Sequence, residues 1–127
     1  MEEELRALLL ADDAVKASVE DRVNFTTHPG DKPFPAIVLS TMDGGSEYTF
    51  SGESSLKKSR VQVDCYALTY KSVKILSRSV LKLLGGFQSG SFQGVFHDST
   101  REGREVATTL ADRPYRISMD FMVHYNS

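Results

Sequence analysis

The side chains of this sequence best suited to chemistry are few and widely spaced. Its three histidines are His28, His97 and His124, and Cys65 is its single cysteine. His97 stands beside Asp98, which would be half of a nucleophile triad if a serine folded against it, because a carboxylate fixes the imidazole tautomer that accepts the hydroxyl proton. Serines are abundant in the chain, so such a meeting carries little information. No two histidines have the close spacing of a metal-ligand set, and one cysteine can build neither an intrachain disulfide nor a cysteine-based zinc site. A nucleophile elbow, a phosphate loop, a dinucleotide fingerprint and a paired-histidine metalloprotease motif are all missing from the sequence. The expectation is therefore no catalytic residue, no cofactor and no metal. A small hydrolase using His97 and Asp98 is the weaker alternative.

Binding residues are better represented. Lys71, Lys74, Arg78 and Lys82 form a basic stripe at helical spacing, which suggests nucleic-acid binding as the runner-up reading. No aromatic residues interleave with it for base stacking, so a solvated helix face is favoured. Tyr48, Phe50 and Leu56 are apolar residues in an otherwise polar stretch, a pattern that marks contact with a partner. Lys57, Lys58 and Arg60 close that stretch, where a charged strand start meets a neighbouring subunit or discourages stray edge pairing.

The elements that must position these groups follow from periodicity. Glu2, Glu3 and Glu4 suit the positive end of a helix dipole, and Leu5, Leu8 and Leu9 recur at helical spacing up to about Ala11. Asp12 caps a second short turn carrying Ala14, Val15 and Val19, followed by a brief strand over Asp21–Phe25. His28 to Pro33 reads as loop, and Pro33 and Pro35 deliver the chain extended into a strand over Ala36–Thr41. Asp43-Gly44-Gly45 is a turn signal, and residues 42 to 58 read as a projecting arm. Leu56–Ala67 reads as a strand, within which Val61, Val63 and Cys65 alternate with Gln62, Asp64 and Tyr66, the period of a sheet with one wet face. A helix over Thr69–Leu84 places Val73, Leu76, Val80 and Leu83 on one face, and Gly85 or Gly86 stops it. Phe92–His97 reads as a strand and Ser99–Ala111 as a second long loop or arm with a weak strand around Val106 to Thr109. Tyr115 to Tyr125 alternates throughout and forms a long last strand. The sum is an α+β domain over residues 1–127, with a mostly antiparallel sheet, two helices packed on one face and long projecting β-arms or loops.

Composition agrees with a single core. The chain has 127 residues, of which 40% are hydrophobic and 25% charged, values ordinary for one globular domain. A formal charge of -2 supplies no overall positive field for phosphate binding. Met1-Glu2-Glu3-Glu4 is acidic where a secretory signal would be basic, and the apolar run Leu8 to Ala11 is too short to span a bilayer. A soluble protein, cytoplasmic at synthesis, is expected.

The string Ser59-Arg60-Val61-Gln62-Val63-Asp64-Cys65-Tyr66-Ala67, followed by Tyr70 and the helix to Leu84, resembles the phage tail completion family also known as a domain of unknown function, DUF3168. Ala11-Asp12-Asp13-Ala14-Val15, Asp21-Arg22-Val23, the Pro-rich lead-in to Ile37-Val38-Leu39 and the closing Tyr115-Arg116-Ile117-Ser118-Met119-Asp120-Phe121 are similar to it in order and spacing. The resemblance implies a structural virion protein of a long-tailed phage, or of a gene transfer agent or prophage remnant, at the head-proximal end of the tail. It implies a tail terminator or head-to-tail joining protein, forming a ring, usually a hexamer, that caps the tail tube. Its implied partners are other copies of itself, the tail tube protein and the head connector, with DNA passing through the ring unbound and no membrane involved. Tyr48, Phe50, Leu56, Lys57, Lys58 and Arg60 are the expected protein-interface residues.

Overall fold

The computed structural model describes residues 2–25, 34–41, 48–49, 56–88, 92–104 and 114–126. Its elements begin with a helix, α1, over Glu2–Ala11, whose Leu5 and Leu9 lie one turn apart and are buried. Burying each such side chain stabilises the fold by about 1.5–3 kcal/mol. Helix α2, Asp13–Val19, follows after Asp12, whose Oδ2 accepts a hydrogen bond from the Val15 backbone N–H at 3.0 Å and so satisfies an orphan donor of the first turn. Helix α3, Tyr70–Leu84, is capped in the same way by Thr69, whose Oγ1 accepts from the Ser72 N–H at 3.1 Å. Gly86, with φ of +80°, takes the left-handed conformation that turns the chain away from this helix.

The strands are β1 (Val23–Phe25), β2 (Ala36–Thr41), β3 (Tyr48–Thr49), β4 (Leu56–Ala67), β5 (Phe92–Arg104) and β6 (Tyr115–Asn126). They form one sheet in the order β1-β2-β4-β6-β5, with β3 also paired to β4. Only β1 and β2 run parallel among the described pairs; the others are antiparallel. The spine is the β4–β6 ladder, in register from Leu56↔Asn126 to Ala67↔Tyr115. That register aligns the alternation of both strands. Val61, Val63, Cys65 and Ala67 share one face with Ile117, Met119, Phe121 and Val123, and all eight are buried. With Leu5, Leu9, Val15, Val19, Val73, Leu76, Val80 and Leu84 from the helices they make a single core. Cys65 belongs to it: burial, reinforced by the neighbouring Asp64 charge, pushes its thiol pKa up, which leaves it an inert packing residue.

The α+β class and the mostly antiparallel sheet agree with the sequence reading, but three details differ. There are three helices, because the Asp12 cap starts a true seven-residue helix and not a turn. Ser99–Arg104 is the second half of β5 and pairs with β6, so this stretch is sheet and not arm. The strand expected from Leu56 is found as β4, so residues 56–58, also counted in the first arm, belong to the sheet. Residues 42–47, 50–55 and 105–113 of the two expected arms lie outside the described residues, as does the expected loop from His28 to Pro33. Among the described residues no helix is long and apolar enough to cross a membrane.

Candidate functional site

The strongest catalytic candidate comes apart in the fold. Strand β5 carries a bulge between His97 and Ser99, so Asp98 is the extra residue while His97 sits opposite Phe121 and Ser99 opposite Asp120. The His97 ring, 5.5 Å from the Phe121 ring, hydrogen-bonds through Nε2 with Thr100 Oγ1 at 2.6 Å. Asp98 instead accepts from Arg60 Nη1 at 2.9 Å, and Ser99 Oγ donates to Asp120 Oδ2 at 3.2 Å. Imidazole, carboxylate and hydroxyl thus each serve a different neighbour, and no proton relay connects them. His124 stands edge-on to Phe96 at 5.3 Å, and His28 lies outside the described residues. Among the described residues no group of three or more His, Cys, Asp or Glu side chains could hold a metal.

The basic stripe is partly spent. Lys74 Nζ donates to Glu102 Oε2 at 2.8 Å and lies 5.7 Å above the Tyr70 ring centre, while Tyr70 Oη donates to Glu102 Oε1 at 3.0 Å. The bond to Glu102 raises the Lys74 pKa, and the bonds from Lys74 and Tyr70 hold the Glu102 carboxyl below its ordinary range. Lys71, Arg78 and Lys82 remain exposed on α3. A cleft of about 320 Å³ opens beside this cluster, lined by Tyr70, Val73, Glu102, Tyr115, Arg116 and Ile117. Its carboxylate is fixed in the ionised form, so it is no proton donor near neutrality.

The helix-free face of the sheet holds a polar network across three strands. Arg101 on β5 donates through Nη1 to Asp120 Oδ2 at 2.9 Å and through Nη2 to Gln62 Oε1 at 3.3 Å. Gln62 Nε2 in turn donates to Asp64 Oδ1 at 2.8 Å, and Ser118 Oγ donates to the same carboxylate. Asp64 and Asp120 are only 5% and 8% exposed, yet both are paired, as buried carboxylates must be. The Arg101 hydrogen bond, outweighing the cost of burial, holds the Asp120 carboxyl below its ordinary value. The network locks β4, β6 and β5 in register; it offers no unpaired acid or base. Sequence reasoning missed it, because Asp120 and Arg101 look like ordinary wet-face residues until the register places Ser99 opposite Asp120 and Arg101 opposite Ser118.

The predicted interface residues fall at one end of the sheet by backbone placement. Tyr48 pairs with Lys58, and Leu56, Lys57 and Lys58 pair with Asn126, Tyr125 and His124. Arg60 follows on the same strand, half-buried, and its ion pair with Asp98 spans β6 to reach the bulge. Phe50 lies outside the described residues.

Among the described residues an apolar core lies under one sheet face, a satisfied polar network covers the other, and no reactive groups converge. The chain belongs to the family described as Tail completion protein gp17, which it matches over residues 3–126. It is thus a non-enzymatic structural protein of the virion, a part of tail assembly. Its fold is also that of a chain in a solved structure described as the virion of a native gene transfer agent (GTA) particle. The two share 18% sequence identity with a TM-score of 0.68, over 97% of this chain and 92% of that one. No curated protein matches the sequence.

Proposed function

We propose that this chain is a tail terminator or head-to-tail joining protein that assembles as a ring, most simply a hexamer, capping the tail tube and presenting a surface to the head connector. The observation that carries this reading is the family match over almost the whole chain, residues 3–126. A ring needs two different surfaces on each subunit that complement one another and close. Tyr48, Phe50, Leu56, Lys57, Lys58 and Arg60 supply one of them. In support, β2 ends at Thr41 and the adjacent antiparallel strand β4 begins at Leu56, so residues 42–55 connect strands that a tight turn of about 2–5 residues would join. Surplus chain of this kind usually serves function. DNA passes through the ring without specific binding, consistent with the net charge of -2.

Particles produced without this chain should accumulate unjoined heads and tails, or tails of uncontrolled length, when viewed by electron microscopy. Tyr48→Ser combined with Phe50→Ser should reproduce that defect while the isolated protein keeps its melting temperature. Normal joining by the double variant would remove these residues from the interface.

A further inference from the structure

The two outer edges of the sheet are finished differently. At the β1 edge, Arg6 of α1 donates through Nε to the Val23 carbonyl at 2.8 Å and through Nη2 to the Asp21 carbonyl at 3.3 Å, so a side chain of the same subunit occupies the acceptor groups there. At the β5 edge, the described residues close the beginning of the strand with backbone groups instead: Val95 N–H donates to the Phe87 carbonyl at 3.0 Å, and Gly86 N–H donates to the Val95 carbonyl at 2.8 Å. These bonds also reveal the phase of the strand. In an antiparallel pair a residue's N–H and C=O both face the partner at one position and both face away at the next. Val95, opposite Val123, faces away, and the residues opposite Met119 and Ile117 on the same phase of β6 do so too. They are Thr100 and Glu102.

Beyond the bulge no described element covers this edge. Thr100, Arg101, Glu102 and Gly103 are exposed, and among the described residues nothing bonds the outward backbone groups of Thr100 and Glu102. Charged side chains ordinarily blunt a free edge. Here they are turned onto their own subunit, Arg101 to Asp120 and Glu102 to Lys74 and Tyr70, and β5 contains no proline. Among the described residues, then, neither a proline nor an outward-turned charge guards this edge.

A strand able to dock on it exists in the same sequence. Strand β3 is paired on one side only among the described residues, to Lys57 and Lys58 of β4. It lies on the side of β4 away from β6, so β4 and β6 stand between it and the β5 of its own subunit. A meeting of β3 with β5 therefore requires two molecules. We propose that the open edge of β5 at Thr100–Glu102 receives the β3 segment, Tyr48–Thr49, of a second copy, so that the sheet continues from one subunit into the next. The contact joins two different surfaces and is thus able to close a ring. It rests on the tail-joining reading above and specifies the geometry of its subunit contact.

The test combines a backbone block with a crosslink, both in the full chain. Thr100→Pro removes an N–H that faces outward, a change edge strands tolerate, whereas Thr100→Ser keeps it. Head-to-tail joining should fall about tenfold or more with the proline, equivalent to one or two backbone hydrogen bonds, and stay normal with serine, at an unchanged melting temperature. In assembled particles, Thr49→Cys together with Thr100→Cys should give a ladder of disulfide-linked copies on oxidation, and neither single variant should. Cys65 is fully buried and stays silent in this assay. Normal joining by Thr100→Pro would overturn the proposal, as would Thr100→Cys alone linking two copies, which means β5 meets β5, or linking to the tail tube protein. If Thr100→Pro melts early, the crosslink alone decides. Heads and tails that join in the complete absence of this chain would instead overturn the tail-joining role, and the ladder would still judge the edge.

Discussion

The two faces of the sheet are both well ordered, and for opposite reasons. On the helix-covered face Val61, Val63, Phe121 and Val123 are held by burial alone, a force that does not depend on direction. On the other face Gln62, Asp64, Arg101, Ser118 and Asp120 are held by hydrogen bonds that work only in one register. The first face makes the domain stable. The second fixes how β4, β6 and β5 lie relative to one another, and so fixes the shape of the exposed edge.

This contrast should break most visibly at Phe121. Phe121→Ala empties the centre of the core, 1% exposed in the native fold, and should cost about 3–5 kcal/mol in denaturant unfolding. Asp120→Ala takes the shared carboxylate from Ser99 and from Arg101, which keeps its bond to Gln62, and should cost about 1–3 kcal/mol, with hydrogen exchange increasing on β5 more than on α3. The smallest effect is on acid stability. Asp120 and Glu102 have lowered pKa values in the folded state, while the unfolded chain titrates near the ordinary values of about 3.9 and 4.3. Between the folded and unfolded values the unfolded chain binds more protons, so stability falls as the pH falls. Their contribution is complete above the unfolded values and is lost as pH drops through the folded ones. Asp120→Asn should flatten the melting-temperature profile below about pH 4 more than Glu102→Gln does, because the Glu102 pair is exposed and screened.

How much was legible in the sequence follows the same division. The β6 alternation, the phase of Cys65 and the α3 stripe ending at Gly86 are local patterns imposed by burial, and all three are found in the fold. The terminal helical leucine is a near miss: Leu84 is buried and Leu83 only partly so, a difference of one position in a helix that winds past its last turn. Strand β5 shows the limit. Ser99, Arg101 and Glu102 carry no apolar alternation, because an edge strand has polar neighbours on both faces, and only the distant partners Asp120, Lys74 and Tyr70 make them part of a sheet. Separation of His97 from Asp98 depended on a bulge, which no spacing rule reveals. The family resemblance, by contrast, was readable from the order of the elements. The predicted interface at Tyr48, Phe50, Leu56, Lys57, Lys58 and Arg60 is a matter for the variants above.

The place of β6 in the strand order has a bearing on synthesis. It is made after every other described strand, yet it sits between β4 and β5 and holds both. A nascent chain still lacking it has no continuous sheet, since in the described sheet β4 and β5 are joined only through it and long-range pairing must wait for the later partner. Completion of the sheet therefore waits on the last described strand to be translated.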